Sequence, residues 1–315
     1  ISCGNGTDAL VAALMALEVK PGDEVITPAF SYIAATEAIL SMGAKPVFVD
    51  VKQDTQNIDV DLVSDLITPN TKAIISVSLF GQPCDLLELK KICNDHNIYL
   101  VEDAAQSFGS THYNKKSCSI ADISTTSFFP TKPLGCYGDG GAIFTNNNNL
   151  SNKIRKIVRH GQSQKYQHDI LGMNSRLDSL QASVLLEKLK ILDAEIEARN
   201  KLSVVYDNHL SDCKGILTPT IMEYNFSSIA QYTIMTDHRD LIIKKLKEQN
   251  IPYAIHYPIP IYRQKLFNGS VYGSFKALEK TEVLCNQVIS LPINAYMTEV
   301  EIEKVSVIIQ SALAM

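Results

Sequence analysis

Between Glu24 and Asp103 the chain alternates short strand-like runs with helical stretches, and this alternation restricts the fold more than any other feature. Residues 24–27, 45–49, 72–78 and 98–101 read as strands, and 31–42, 59–67 and 85–97 as helices, with Pro69-Asn70 stopping the second. Repeated strand–helix–strand units build a parallel sheet with helices on both faces. The run from Ile98 to Val101 is of the buried parallel type and ends on Glu102 and Asp103. Ligands of open α/β sheets sit at the carboxyl ends of strands, so Asp103 stands where a ligand-facing acid belongs. A turn former or helix cap is the ordinary use of such an aspartate, and this pattern alone leaves both open.

One strand later comes Ser127 to Gly141, SFFPTKPLGCYGDGG. Its two prolines and four glycines forbid a continuous helix, so it reads as a loop after an apolar strand over 123–126. Lys132 sits among aromatic and apolar neighbours, five residues after Ser127. Desolvation disfavours an ammonium ion, and a neutral amine can condense with an aldehyde. The ordinary alternative is a lysine whose stem packs on the loop while its head reaches water. An acid at a strand end followed by a Ser-x-x-x-x-Lys loop suits pyridoxal 5′-phosphate, which needs a lysine for its aldehyde and an acid for its pyridine nitrogen.

With these two stretches, NGTDAL at 5–10, PAFSYIAA at 28–35, EDAAQSFGS at 102–110, RHGQ at 159–162, GMNSRLDSLQA at 172–182 and HYPIP at 256–260 resemble the DegT/StrS family of PLP-dependent sugar-nucleotide aminotransferases. Within it the likeness is greatest to enzymes that aminate a UDP-linked 2-acetamido-2-deoxy-3-oxo-hexuronate. The segments span most of the chain in the family's order. The resemblance implies an α/β chain of fold-type I. A mostly parallel sheet flanked by helices would form a large PLP-binding domain over 1–190, and a smaller C-terminal α+β domain would cover 191–315. The family's chains normally carry several dozen residues before the point at which this one opens, on Ile1, so a preceding segment is expected to be missing.

The resemblance also assigns roles. Lys132 would carry the cofactor aldehyde and Asp103 would hold the pyridine nitrogen. Gly6 and Thr7, at a glycine-rich turn opening a helix, would hold the phosphate with Ser127; helix starts favour anions. Tyr32 would stack on the ring and Gln106 would bond the ring oxygen. Asn174 would reach the phosphate in the neighbouring subunit, which implies a homodimer with shared sites. Lysine, rather than histidine, at position 132 favours amino transfer over dehydration. Arg176, His256 and Tyr257 would receive the sugar; a guanidinium can grip a uronate carboxylate bidentately. The ordinary alternatives are a cap for Thr7, a core ring for Tyr32, a solvent-facing Gln106, a helix-start residue for Asn174, an Arg176–Asp178 salt bridge and a structural His256.

The rest of the chain bounds this reading. A net charge of −5 and the absence of a basic tract argue against nucleic acid. No apolar run has membrane-spanning length. Seven cysteines, with no C-x-x-C pair, read as reduced thiols in a cytoplasm, with no disulfide frame and no metal site. Asn146–Asn149 reads as a turn, Asp178–Leu210 as one long helix, 231–237 as a strand, and 240–248 and 299–313 as helices. The expected activity is glutamate-dependent amination of a nucleotide-linked keto sugar for surface polysaccharide such as O-antigen. A dTDP- or GDP-linked 4-oxo sugar, or a silent regulatory protein on the same fold, are the alternatives.

Overall fold

In the computed structural model, which describes residues 1–268 and 275–313, the alternation becomes a seven-stranded sheet. Its strands lie in the order Ser2–Cys3, Gly141–Phe144, Ile123–Ser127, Tyr99–Asp103, Thr71–Val77, Glu24–Pro28 and Lys45–Val49. The last five are mutually parallel; Gly141–Phe144 runs antiparallel to both neighbours. Both faces are dry, and the period of two shows in adjacent residues. Ile75 and Val101 enter one core with Leu10, Leu14 and Ile39, while Ile74 and Leu100 enter another with Ile26, Leu86 and Leu89.

Helix α1 (Gly6–Ala16) starts where Asn5 Oδ1 accepts the Asp8 amide at 2.8 Å, and its buried Ala9, Ala12, Ala13 and Ala16 let it lie close against its neighbours. Helix α2 spans Ala34–Ser41, shorter than the expected 31–42, so Ser31 to Ile33 stay in the connection and leave Tyr32 in the turn. Helix α3 (Leu86–Asp95) is capped by Asp85. The helix expected over 59–67 is absent; Val60–Leu62 and Ser64–Leu66 are 3₁₀ turns. Val60 and Val63 are both buried, three residues apart, which suits a three-residue turn. Asparagines 146–149 do not form a free turn: Asn147 caps α4 (Asn148–Ile157), accepting from the Asn149 and Leu150 amides at 2.9 and 3.1 Å.

The single helix expected over 178–210 is two, α5 (Ser179–Leu189) and α6 (Leu192–Leu210). No Gly or Pro marks the break at 190–191. Leu185 of α5 and Leu192 and Ile196 of α6 join Phe128 and Leu134 of the Lys132 loop, and Leu202, Tyr206 and Leu210 farther along α6 join a C-terminal core. That core gathers the antiparallel strands Tyr232–Met235 and Val288–Leu291 with α7 (Arg239–Glu248), and Tyr206 stacks on Tyr232 at 4.5 Å. Helix α8 (Glu279–Gln287), which the sequence pattern did not reveal, is tied back to the large sheet by Asp50. Helix α9 (Glu299–Leu313) closes the C-terminal core. No described helix is long and apolar enough to cross a membrane.

Candidate active site

The strand Tyr99–Asp103 delivers Asp103, buried, to the carboxyl edge of the sheet, and its Oδ1 accepts the Ala105 amide at 3.0 Å. The neighbouring strand Ile123–Ser127 leads into the loop carrying Lys132, whose own amide bonds the Phe129 carbonyl at 2.9 Å. Burial pushes the Asp103 carboxyl above the usual carboxylate range and the Lys132 amine below its usual value. Each group's charge partly opposes the effect on the other. The buried acid and the desolvated amine are thus near enough for each charge to act on the other; such an amine can act as a nucleophile and such an acid can hold a proton on a ring nitrogen.

Gly6 lays its backbone against Ser127, so the start of α1 and the strand end share one small space. Asn5, rather than Thr7, is the cap of α1. The Gly6 and Thr7 amides take no partner among the described residues, and the Ser127 hydroxyl accepts the Phe129 amide at 3.2 Å and keeps its own hydrogen to give. Two amides, a helix dipole and a hydroxyl form an anion cradle.

Gln106 is not solvent-facing. It is buried, its Oε1 accepts the Phe80 amide at 2.6 Å, and its Nε2 donates to the Tyr257 hydroxyl at 3.3 Å. The Tyr257 ring meets Phe30 edge-on at 6.2 Å and Tyr32 at 6.2 Å. Tyr32 is 57% exposed, so one face of its ring is free to stack, and it is not a core residue. Burial raises the Tyr257 phenol well above its ordinary value and keeps it a neutral donor. His256 bonds Ser290 Oγ at 2.9 Å, and Ser290 meets Thr233 Oγ1 at 2.8 Å. Burial, with Lys132 nearby, depresses its imidazole.

Asn174 and Arg176 are not gathered with Lys132 within the chain. Both are exposed and bonded to each other, Arg176 Nε donating to Asn174 Oδ1 at 3.0 Å. Asp178 caps α5 through the Leu180 amide at 2.8 Å, and no ion pair with Arg176 forms among the described residues. Between Asn174 and Arg176, Ser175 Oγ accepts the Gly4 amide at 2.9 Å and ties the loop to the turn ahead of α1. Sequence reasoning missed Asn5, for which N-x-x-D was an available cap signal, and Phe80, for which there was none. It also missed the role of Glu102, whose fully buried carboxylate takes donors from Ser78, Ser117, Ser124 and the Cys118 amide beneath the site.

The profile of the DegT/DnrJ/EryC1/StrS aminotransferase family matches residues 1–310. The chain is 48% identical over 303 residues to UDP-2-acetamido-2-deoxy-3-oxo-D-glucuronate aminotransferase of Pseudomonas aeruginosa, covering 96% of this chain and 83% of that protein. It is 42% identical to the pleiotropic regulatory protein of Geobacillus stearothermophilus, covering 93% and 79%. Among solved structures, DesV of S. venezuelae superposes with a TM-score of 0.95 at 34% identity, covering 99% of this chain and 84% of that one. The ntda protein of Bacillus subtilis with bound cofactor PMP superposes with a TM-score of 0.93 at 32% identity, covering 100% and 73%.

Proposed function

This chain belongs to the DegT/DnrJ/EryC1/StrS aminotransferase family, and we propose that it moves an amino group from L-glutamate to the keto carbon of UDP-2-acetamido-2-deoxy-3-oxo-hexuronate. It is a PLP-dependent aminotransferase. The observation that carries the reading is the family match over residues 1–310, with Asp103 buried at a strand end beside the strand that leads into the Lys132 loop.

The residues present fit the cofactor. A Cβ on Gly6 would fill the cradle at the start of α1, which suits a phosphate, and a buried acid and a desolvated amine suit the two ends of the pyridine ring. When bound, the cofactor supplies an electron-withdrawing ring that stabilises negative charge at the reacting carbon. Gly6 and Thr7 amides and the Ser127 hydroxyl would hold its phosphate, Tyr32 would cover a ring face, and Gln106 Nε2 would donate to the ring oxygen. Asp103 would keep the ring nitrogen protonated. Lys132 Nζ would hold the aldehyde carbon until the donor's amine displaces it, and would then take the proton from the donor's α-carbon and return it to the cofactor carbon. Reduction of the loaded protein with borohydride followed by peptide mapping should label Lys132; a label on Lys116 or Lys165 would move the site.

Arg176, His256 and Tyr257 form the sugar end of the proposal. The name of the P. aeruginosa relative supports the UDP-linked 3-oxo-hexuronate, and we take the aminated sugar to go into surface polysaccharide such as O-antigen. Arg176 and Asn174 are turned outward, and near them Leu171, Leu180 and Leu186 are exposed apolar residues. We take this face to meet a second copy, with each subunit lending Asn174 and Arg176 to its partner's pocket. We also take the enzyme to work in the cytoplasm, with its cofactor domain over 1–190 and a smaller domain over 191–315. The deciding assay presents PLP, glutamate and a panel of keto-sugar nucleotides. Amination of the UDP-3-oxo-hexuronate is expected. Turnover only of dTDP- or GDP-linked 4-oxo sugars would replace the substrate, and PLP binding with no amination at all would leave a silent binding protein.

A further inference from the structure

Phe80 has φ 56° and ψ 7°, the left-handed conformation that a bulky side chain disfavours. Such a residue persists when its surroundings over-determine it, and here they do. Before it, Leu79 N donates to Asn57 Oδ1 at 2.9 Å, and Asn57 Nδ2 reaches past the turn to the Gln82 carbonyl at 3.0 Å. Its own carbonyl accepts the Ala230 amide at 2.9 Å, and the Gly81 carbonyl accepts Ser228 N at 3.1 Å and Ser110 Oγ at 2.7 Å. A Cβ on Gly81 would lie 2.7 Å from the amides of Ile229 and Ala230, so the turn is wedged against that segment. The turn presents the Phe80 N–H to Gln106 Oε1 at 2.6 Å.

We infer that Phe80 is a positioning residue whose left-handed backbone decides which end of the Gln106 amide faces the cofactor. The two ends of a glutamine amide have nearly the same shape, and hydrogen-bond partners decide between them. A backbone N–H can meet only the oxygen, so the nitrogen must turn the other way. One Nε2 hydrogen goes to the Tyr257 hydroxyl at 3.3 Å, and the second is left for the oxygen of the cofactor ring. Reversed, the amide would set its oxygen against that ring oxygen and an N–H against the Phe80 N–H. Ser228 Oγ, bonded to the Gln106 carbonyl at 2.8 Å, holds the glutamine backbone against the same segment that grips the turn. This inference rests on the cofactor reading above.

The test separates backbone from ring. Asn and Gly accept the left-handed conformation, whereas a β-branched residue does not. Loss of one such hydrogen bond corresponds to about tenfold in affinity. Phe80→Asn and Phe80→Gly should therefore bind PLP within about threefold of wild type, and Phe80→Val about tenfold more weakly. In a Gln106→Ala background the three should bind alike. Gln106→Glu, which can still accept from Phe80 but cannot donate, should lose about as much as Phe80→Val and does not depend on that variant folding. A readout without cofactor is the side-chain amide of Gln106 in glutamine-¹⁵N-labelled protein. Its slowly exchanging resonances should survive in Phe80→Asn and vanish in Phe80→Val. Packing of the ring on Phe30 would give the opposite order, with Val better than Asn and Gly. That order, an unchanged ranking in Gln106→Ala, or full PLP affinity in Gln106→Glu would overturn the inference. Failure of wild type to bind PLP would remove the cofactor reading, and the amide resonances would still decide the role of Phe80.

Discussion

Gly6 and Ser127 approach so closely that a Cβ on Gly6 would lie 2.8 Å from the Ser127 Cβ and 3.3 Å from its Cα. The first helical residue of α1 and the last residue of a sheet strand, 121 positions apart, are thus one surface. Gly6→Ala must push these elements apart, at about 1–3 kcal/mol for an overpacked position. Urea denaturation should show that loss, and a PLP titration should show affinity falling about tenfold or more as the anion cradle opens. Gly138→Ala is the control. The nearest atoms its added carbon would meet are those of the Gln181 side-chain amide, at 3.2 Å, which can give way, and it should leave both measurements nearly unchanged.

Asp103 and Lys132 make the cofactor-free protein's stability depend on pH in opposite directions. The folded state raises the Asp103 pKa above 3.8, so it holds that proton more tightly than the unfolded chain does, and stability falls as pH rises through the raised value. The folded state lowers the Lys132 pKa below 10.5, so stability rises as pH climbs from the lowered value toward 10.5. At pH 7 both ionised forms cost stability. Chemical denaturation without cofactor should therefore find Asp103→Asn and Lys132→Met more stable than wild type at pH 7. The first advantage should shrink toward pH 4 and the second toward pH 10.5. Turnover of Asp103→Asn should nevertheless drop by about 10² or more, because the ring nitrogen loses its charged partner. A variant less stable than wild type at pH 7 would refute the burial argument for that residue.

Asn174 can be placed by mixing subunits. Lys132→Ala and Asn174→Ala proteins, each inactive or weak alone, are allowed to exchange. If Asn174 serves its partner's pocket, a mixed dimer collects both lesions in one site and leaves the other intact, so activity should return to at most about half of wild type per dimer. If both residues belonged to one subunit's own pocket, every site would retain a lesion. Lack of recovery after confirmed exchange would show that the site is not shared.

Asp50 should matter for stability without touching the chemistry. It accepts Lys280 N at 3.0 Å, Thr281 N at 2.9 Å and Thr281 Oγ1 at 2.7 Å, capping α8 from the large sheet, and bonds none of the site residues. Asp50→Ala strands those donors and should cost about 2–4 kcal/mol in urea denaturation. The absorbance of the bound cofactor should be unaltered; a changed spectrum would extend the role of Asp50 into the site.

What could be read from the sequence was local. The apolar runs of the 24–103 stretch announced a parallel sheet because strands buried on both faces need continuous hydrophobicity, and the alternate entry of Ile74 and Ile75 into two cores realises it. Asp103 was legible because a strand end locates itself by where the apolar run stops. Lys132 was legible because proline and glycine forbid regular structure around it. The 3₁₀ turns at 60–66 and the break between α5 and α6 were not legible, since neither carries a breaker residue. The N-cap role of Asn147 was hidden in an asparagine run that looks like any turn. Only the tertiary structure brought Gly6 onto Ser127 and Tyr257 onto Gln106, contacts across 121 and 151 positions that no local period encodes. It alone decided the conformation of Phe80, because a left-handed aromatic is disfavoured by its own backbone and is held there by partners distant in the chain, Asn57 and Ala230.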